Sequence, residues 1–121
     1  MSYDIGIYVK VEGEPIFAEI AAPEFSSPTY NLGKMFRACM DWDFEQGKYY
    51  PCTYVIKAVE HGIKELVARH SVYDQYIPQN TDIPTSMLSN HADALQVLLS
   101  IRDCILEQAE QIPVKCLFMR W

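Results

Sequence analysis

Apolar and polar positions alternate from Tyr3 to Val11, with Tyr3, Ile5, Ile7, Val9 and Val11 on one side and Asp4, Gly6, Tyr8 and Lys10 on the other. A period of two sends successive side chains to opposite faces of a pleated backbone, so this segment predicts a half-buried β-strand. Glu12-Gly13-Glu14-Pro15 supplies turn residues, and Ile16 to Ile20 predicts a second strand, making the pair a hairpin. Pro23, Ser26, Ser27 and Pro28 then suit neither a ladder nor a helix and end it.

The period then changes. Leu32, Met35, Phe36, Cys39 and Met40 recur at i, i+3, i+4, i+7 and i+8, the stripe of an amphipathic helix of about three turns. Asn31 or Thr29 is its expected N-cap, and Gly33, Lys34, Arg37 and Asp41 fall on the opposite face. From Asp41 to Pro51 the chain reads as a loop rich in aromatic residues, with Trp42, Phe44, Tyr49 and Tyr50. A second helix follows, capped by Thr53, with Val55, Ile56, Val59, Ile63, Leu66 and Val67 on one face and Lys57, Glu60, His61 and Lys64 turned away. Gly62 lies beside this stripe. Because a glycine inside a helix costs about 1 kcal/mol relative to alanine, its presence predicts the close approach of a neighbouring element.

Ser71 to Thr85 predicts a short helical turn around Val72 to Tyr76 and otherwise a connection, broken by Pro78 and Pro84. From Ser86 or Ser89 to about Gln111 a third helix is expected, the core's main wall. Met87, Ala94, Leu98, Ile101, Ile105 and Ile112 form its stripe, widened by Leu95, Leu99 and Leu106. Pro113 stops it, and Val114 to Trp121 reads as a last strand. An apolar run of this kind needs a paired partner, which places it beside the first strand. The order strand, strand, helix, helix, helix, strand predicts a single α+β domain over residues 1–121, an antiparallel sheet of about three strands with helices packed on one face.

Composition narrows the function classes. Half of the 121 residues are hydrophobic, which suits a chain of this length that buries a core without staples. Ten basic against sixteen acidic residues give a net charge of -6, which excludes broad non-specific binding to a phosphate backbone. The start Met1-Ser2-Tyr3-Asp4 has no basic region or continuous apolar segment of a signal peptide, and no apolar run is long enough to span a bilayer. The expectation is a cytoplasmic protein without membrane association, whose Cys39, Cys52, Cys104 and Cys116 are reduced.

Catalytic and metal signatures are sparse. No C-x-x-C, H-x-x-x-H or H-E-x-x-H occurs, His61 falls on an exposed helix face, and His91 falls near the start of the third helix's stripe, so no metal ligand and no cofactor are assigned. Asp41-x-Asp43-x-Glu45 fails as a calcium loop, because its glycine arrives one place late at Gly47 and Cys52 stands where the closing carboxylate belongs. Ser26, Ser27 and Thr29 have no histidine nearby in sequence, and Asn31-Leu32-Gly33-Lys34 carries a single glycine where phosphate loops need several. The reading therefore leans away from an enzyme and assigns no catalytic residue.

Binding is the stronger expectation. Thr29, Tyr30 and Asn31 present a hydroxyl, a phenol and an amide at a helix start, where free N–H groups and the helix dipole favour an anionic or polar group. Arg37 and Arg120 add planar donors and Lys48 a point charge, while Trp42, Tyr49 and Tyr50 offer rings that stack on a base or fill a partner's pocket. The competing reading makes Tyr30, Trp42 and Trp121 core aromatics and Asn31 only a cap.

The start Ser2-Tyr3-Asp4-Ile5, the block Pro28-Thr29-Tyr30-Asn31 followed by Met35-Phe36-Arg37, the segment His61-Gly62-Ile63 and the ending Leu117 to Trp121 resemble a group of small uncharacterised proteins of bacteria, prophages and phages. These begin with a "YDI" strand and carry a "TYN" turn before a helix. The resemblance implies a small cytoplasmic accessory protein encoded by a phage or mobile element, a setting that favours inhibitors of host machinery and counter-defence proteins. The leading expectation is thus a non-catalytic binding protein acting through residues 28–50 on a host protein or complex. The alternative is a nucleotide sponge using Thr29, Tyr30, Asn31, Arg37 and Arg120. An unrecognised hydrolase or metal protein comes third, and pairing of the last strand within one chain or across a homodimer stays open.

Overall fold

The computed structural model describes residues 5–11, 13–14, 16–24, 33–42, 44–45, 47–76 and 91–120. Within them the chain forms β1 (Gly6–Lys10), β2 (Phe17–Ala21), α1 (Gly33–Met40), β3 (Tyr49–Pro51), α2 (Cys52–Tyr73), α3 (His91–Gln111) and β4 (Leu117–Arg120). Single 3-10 turns occupy Asp74–Tyr76 and Val114–Cys116. The fold is α+β, with an antiparallel four-stranded sheet in the order β2-β1-β4-β3.

The alternating first strand pairs with β2 across the expected hairpin, where Gly13 adopts φ +78° in the turn. β4 inserts beside β1, as its apolar run requires: Ile7 sits opposite Met119 and Val9 opposite Leu117. The fourth strand was not expected. β3 has three residues and ends on Pro51, too short for a period of two to register, and it forms on the outer edge of β4, with Tyr50 opposite Met119.

The core lies between one face of the sheet and the helices. Ile7, Leu117 and Met119 from the sheet are sealed against Met35 and Phe36 of α1, Val55, Val59 and Leu66 of α2, and Leu98, Ile101 and Ile105 of α3. Each such aliphatic side chain contributes about 1.5–3 kcal/mol on removal from water. α1 ends where expected: Asp41 takes up a left-handed conformation, φ 53°, which stops the helix after Met40. The residues proposed as its caps, Thr29 and Asn31, lie outside the described residues, as does the 77–90 segment that contains Met87.

α2 departs from expectation at three points. It starts two residues earlier than a Thr53 cap allows, with Pro51 at the N-cap position and no side-chain cap bond. Pro51 at φ -57° is already set for helix entry, and Thr53 falls in the first turn. Val67, placed on the apolar stripe, is 64% exposed, because the stripe drifts off the core beyond Leu66. Finally, Arg69 leaves helical geometry, φ -142° and ψ 40°, and breaks α2 one turn before its end. The Arg69 guanidinium donates two bonds to the Glu65 carboxylate, at 2.8 and 2.7 Å, which brace this break.

Candidate functional site

The helices cover the Ile7, Leu117 and Met119 side of the sheet. The opposite side carries Gly6 and Tyr8 of β1, Phe118 and Arg120 of β4, and their cross-strand neighbours Glu19 and Tyr49. Here four aromatic rings, one from each strand, gather into a cluster. Tyr8 meets Tyr49 edge to face at 5.0 Å, Phe17 meets Phe118 edge to face at 5.1 Å, and Phe17 stacks on Tyr49 at 4.1 Å with 12° between the ring planes. These arrangements match the ring quadrupole, which favours offset stacks and T-shapes. Tyr8, assigned to a solvated face by alternation, is only 9% exposed because the rings of the other strands close over it.

Polar groups flank the cluster. The Arg120 guanidinium carbon lies 5.9 Å from the centre of the Tyr49 ring, a cation–π contact. Gly6 faces Glu19: a Cβ at that position would lie 2.9 Å from Glu19 Oε1 and 3.1 Å from Tyr8 Cε2, so the glycine gives the carboxylate room to cross the strand. Arg120 and Glu19 therefore stand on either side of Gly6, and Lys10 is exposed at the far end of β1. Tyr49 keeps 36% of its surface exposed.

The sequence grouped Tyr49 with Trp42 and Tyr50, but the structure separates them. Trp42 stacks on buried Phe44 at 4.5 Å and 19°, and meets Tyr50 and Tyr54 edge to face, each at 6.1 Å. Trp42 and Tyr50 are both partly buried against the core. The Tyr50 hydroxyl accepts a bond of 2.8 Å from the Glu45 backbone N–H, which fixes the loop entering β3. Consecutive residues of a strand point to opposite faces, so Tyr50 belongs to the core side and Tyr49 to the outer aromatic face.

The other expected site residues are dispersed. Lys48 is exposed and forms an ion pair with Glu45, whose carboxylate raises the lysine's pKa through their hydrogen bond. Arg37 is exposed on the last turn of α1. Thr29, Tyr30 and Asn31 lie outside the described residues. A cleft of about 510 Å³ between the end of β2 and α3 is lined by Glu24, Asp103, Cys104 and Glu107 among others, and by none of the expected binding residues.

Tyr8, Phe17 and Phe118 were missed as site residues. Their signal was in the alternation, which already put Tyr8 on the side of β1 away from Ile7. A second group was missed as well: His70, Asp74 and His91 are, among the described residues, the one set placed to hold a metal ion together. Again among the described residues, no helix is long and apolar enough to cross a membrane. No protein-family model matches the chain, and comparison with the curated proteins and with the solved structures found no match to it.

Proposed function

We propose that this is a non-catalytic binding protein whose recognition surface is the outer face of the sheet, and that its target is a protein. One observation carries the reading: Tyr8, Phe17, Tyr49 and Phe118 converge from four strands, with Arg120 above Tyr49. Tyrosine and arginine dominate the energetics of protein interfaces because each offers large contact area with a polar end. A platform fixed by backbone pairing loses little freedom when a partner docks on it. The net charge of -6 favours a basic protein surface over a nucleic-acid backbone. The resemblance to phage and prophage proteins supplies the setting, an inhibitor acting on a host protein or complex.

A second reading is supported by the Arg120 and Tyr49 pair. A guanidinium beside an exposed ring is suited to a planar anionic ligand, so a nucleotide or cyclic dinucleotide sponge uses the same face.

Affinity capture from host cells, followed by titration of the purified partner, separates the two. The protein reading requires a partner whose affinity drops at least tenfold with Tyr49→Ala and with Arg120→Ala, while both variants keep their fold. Undiminished binding by both variants would overturn it. The sponge reading requires a nucleotide that raises Tm at micromolar concentration, as linkage demands; no response across a panel of nucleotides and cyclic dinucleotides removes it.

A further inference from the structure

At the other end of α2 from β3, His70, Asp74 and His91 form a cluster that the aromatic face does not use. His70 and Asp74 are spaced i, i+4 across the last turn of α2, which brings their side chains to one side. His91 is the first residue of α3 and comes to the same point from a different helix. His91 Nδ1 lies 3.1 Å from Asp74 Oδ1, and His70 Nδ1 lies 3.9 Å from Asp74 Oδ2. The two imidazoles stack with centroids 4.1 Å apart and 17° between planes. One ligand atom from each of the three residues falls within 4.8 Å of the others.

We infer that this cluster is a binding site for a divalent transition metal of the zinc class, held by His70, Asp74 and His91. Three lines support it. First, the donor set is two imidazoles and a carboxylate, which suits zinc and its neighbours; magnesium and calcium take oxygen donors. Second, the spacing is close to what a metal needs. Ligand bonds of about 2.0–2.1 Å around a tetrahedral centre put donor atoms roughly 3.3 Å apart, so the half-exposed side chains complete the site by closing up to about 1.5 Å and turning one of the two stacked rings until both lone pairs meet at one point. Third, the backbone is set for it. The break at Arg69 immediately precedes His70, so the last turn of α2 carries its own orientation.

The exposure of the cluster determines what kind of site it is. The side chains of His70, Asp74 and His91 retain 51%, 42% and 35% of their surface. Three protein donors on an open surface leave at least one coordination position for water or for a donor from a bound partner, unlike the closed four-ligand sites that metals occupy in purely structural roles. A metal here ties the end of α2 to the start of α3, and the hydrogen bond between Asp74 and His91 holds those two donors together before it arrives.

The inference is independent of the proposed binding face, because Tyr49 lies before the start of α2 and roughly 27 Å of helix, at about 1.5 Å per residue, runs from Cys52 to His70. It is tested on untagged full-length protein, stripped with a chelator and titrated with Zn2+ against a chromophoric competitor. The expected result is one zinc per chain at micromolar or tighter affinity, with a rise in Tm. Asp74→Asn, His70→Ala and His91→Ala are each expected to weaken binding at least tenfold, whereas His61→Ala leaves it unchanged. Asp74→Asn keeps the shape of the side chain, so its loss of affinity is not a loss of fold. No saturable uptake by the unaltered protein would overturn the inference. So would uptake retained by both His91→Ala and Asp74→Asn, which would move the metal to the thiols, or displacement of zinc by millimolar Mg2+.

Discussion

Gly62 of α2 faces Leu98 of α3 so closely that a Cβ on Gly62 would lie 2.9 Å from Leu98 Cδ1, and 2.8 Å from Met40 Cγ of α1. All three helices are in contact at this glycine. Leu98 and Met40 are buried, so neither can swing away without disturbing the core. Gly62→Ala gains about 1 kcal/mol of helix propensity but meets an overpacking cost of about 1–3 kcal/mol. A net loss of about 1 kcal/mol is expected by urea denaturation, and a larger one for Gly62→Val. A neutral or stabilised Gly62→Ala would show that the helices separate freely at this contact.

Trp42 and Tyr54 touch, yet they differ in what they support. Trp42 is wedged between Phe44 and Tyr50, whereas Tyr54 is 56% exposed. Truncating a fully buried aromatic costs about 3–5 kcal/mol, and partial burial reduces this for Trp42 to about 2–3 kcal/mol. Tyr54→Ala is expected to cost less than about 1 kcal/mol. If Trp42→Ala melts with the unaltered protein, the loop aromatics are not part of the folded core.

Periodicity carried most of the fold. The alternation around Ile7, the stripes through Val59 and Ile101, and the apolar ending at Leu117 to Met119 all became buried elements, because each pattern repeats long enough to set a face. Tyr49 to Pro51 does not repeat at all, and its strand exists only because β4 offers an edge. The site was less legible for the same reason. Tyr49 and Arg120 were recognisable as exposed chemistry, but Phe17 and Phe118 join them through pairing between strands distant in sequence. His70 and Asp74 share a visible helical spacing, while His91 meets them only after α3 has packed on α2. Contacts within one element are written in spacing; contacts between elements are not.

Burial sets a pH dependence through two thiols. Cys39 and Cys52 are fully buried, and burial pushes both up from 9.0 to about 12. In the unfolded chain they ionise near the ordinary value, while in the fold they keep their protons. The unfolded state then binds fewer protons, so this contribution is fully present below about pH 9 and is lost as pH rises toward 12. The slope is about 1.4 kcal/mol per pH unit for each thiol over that window. Cys104 and Tyr73, also raised by burial, act in the same direction. Urea midpoints are expected to hold steady from pH 7 to 8 and fall between pH 9 and 10, with Cys52→Ala removing about half of the thiol slope. A profile that is flat through pH 10 would contradict the burial of these thiols.

Phe17 and Tyr49 stack at 4.1 Å although β2 and β3 are the two outermost strands of the sheet, with β1 and β4 between them. The rings bridge the sheet from edge to edge, which draws its outer face together and keeps the platform in shape before a partner arrives. Aromatic pairs of this geometry contribute about 0.5–1.5 kcal/mol beyond the area they bury. A double-mutant cycle of Phe17→Ala and Tyr49→Ala is therefore expected to give a coupling energy in that range, because either truncation alone already removes the stack. Coupling near zero would mean that the rings part in solution, and the recognition surface would then have to assemble on binding.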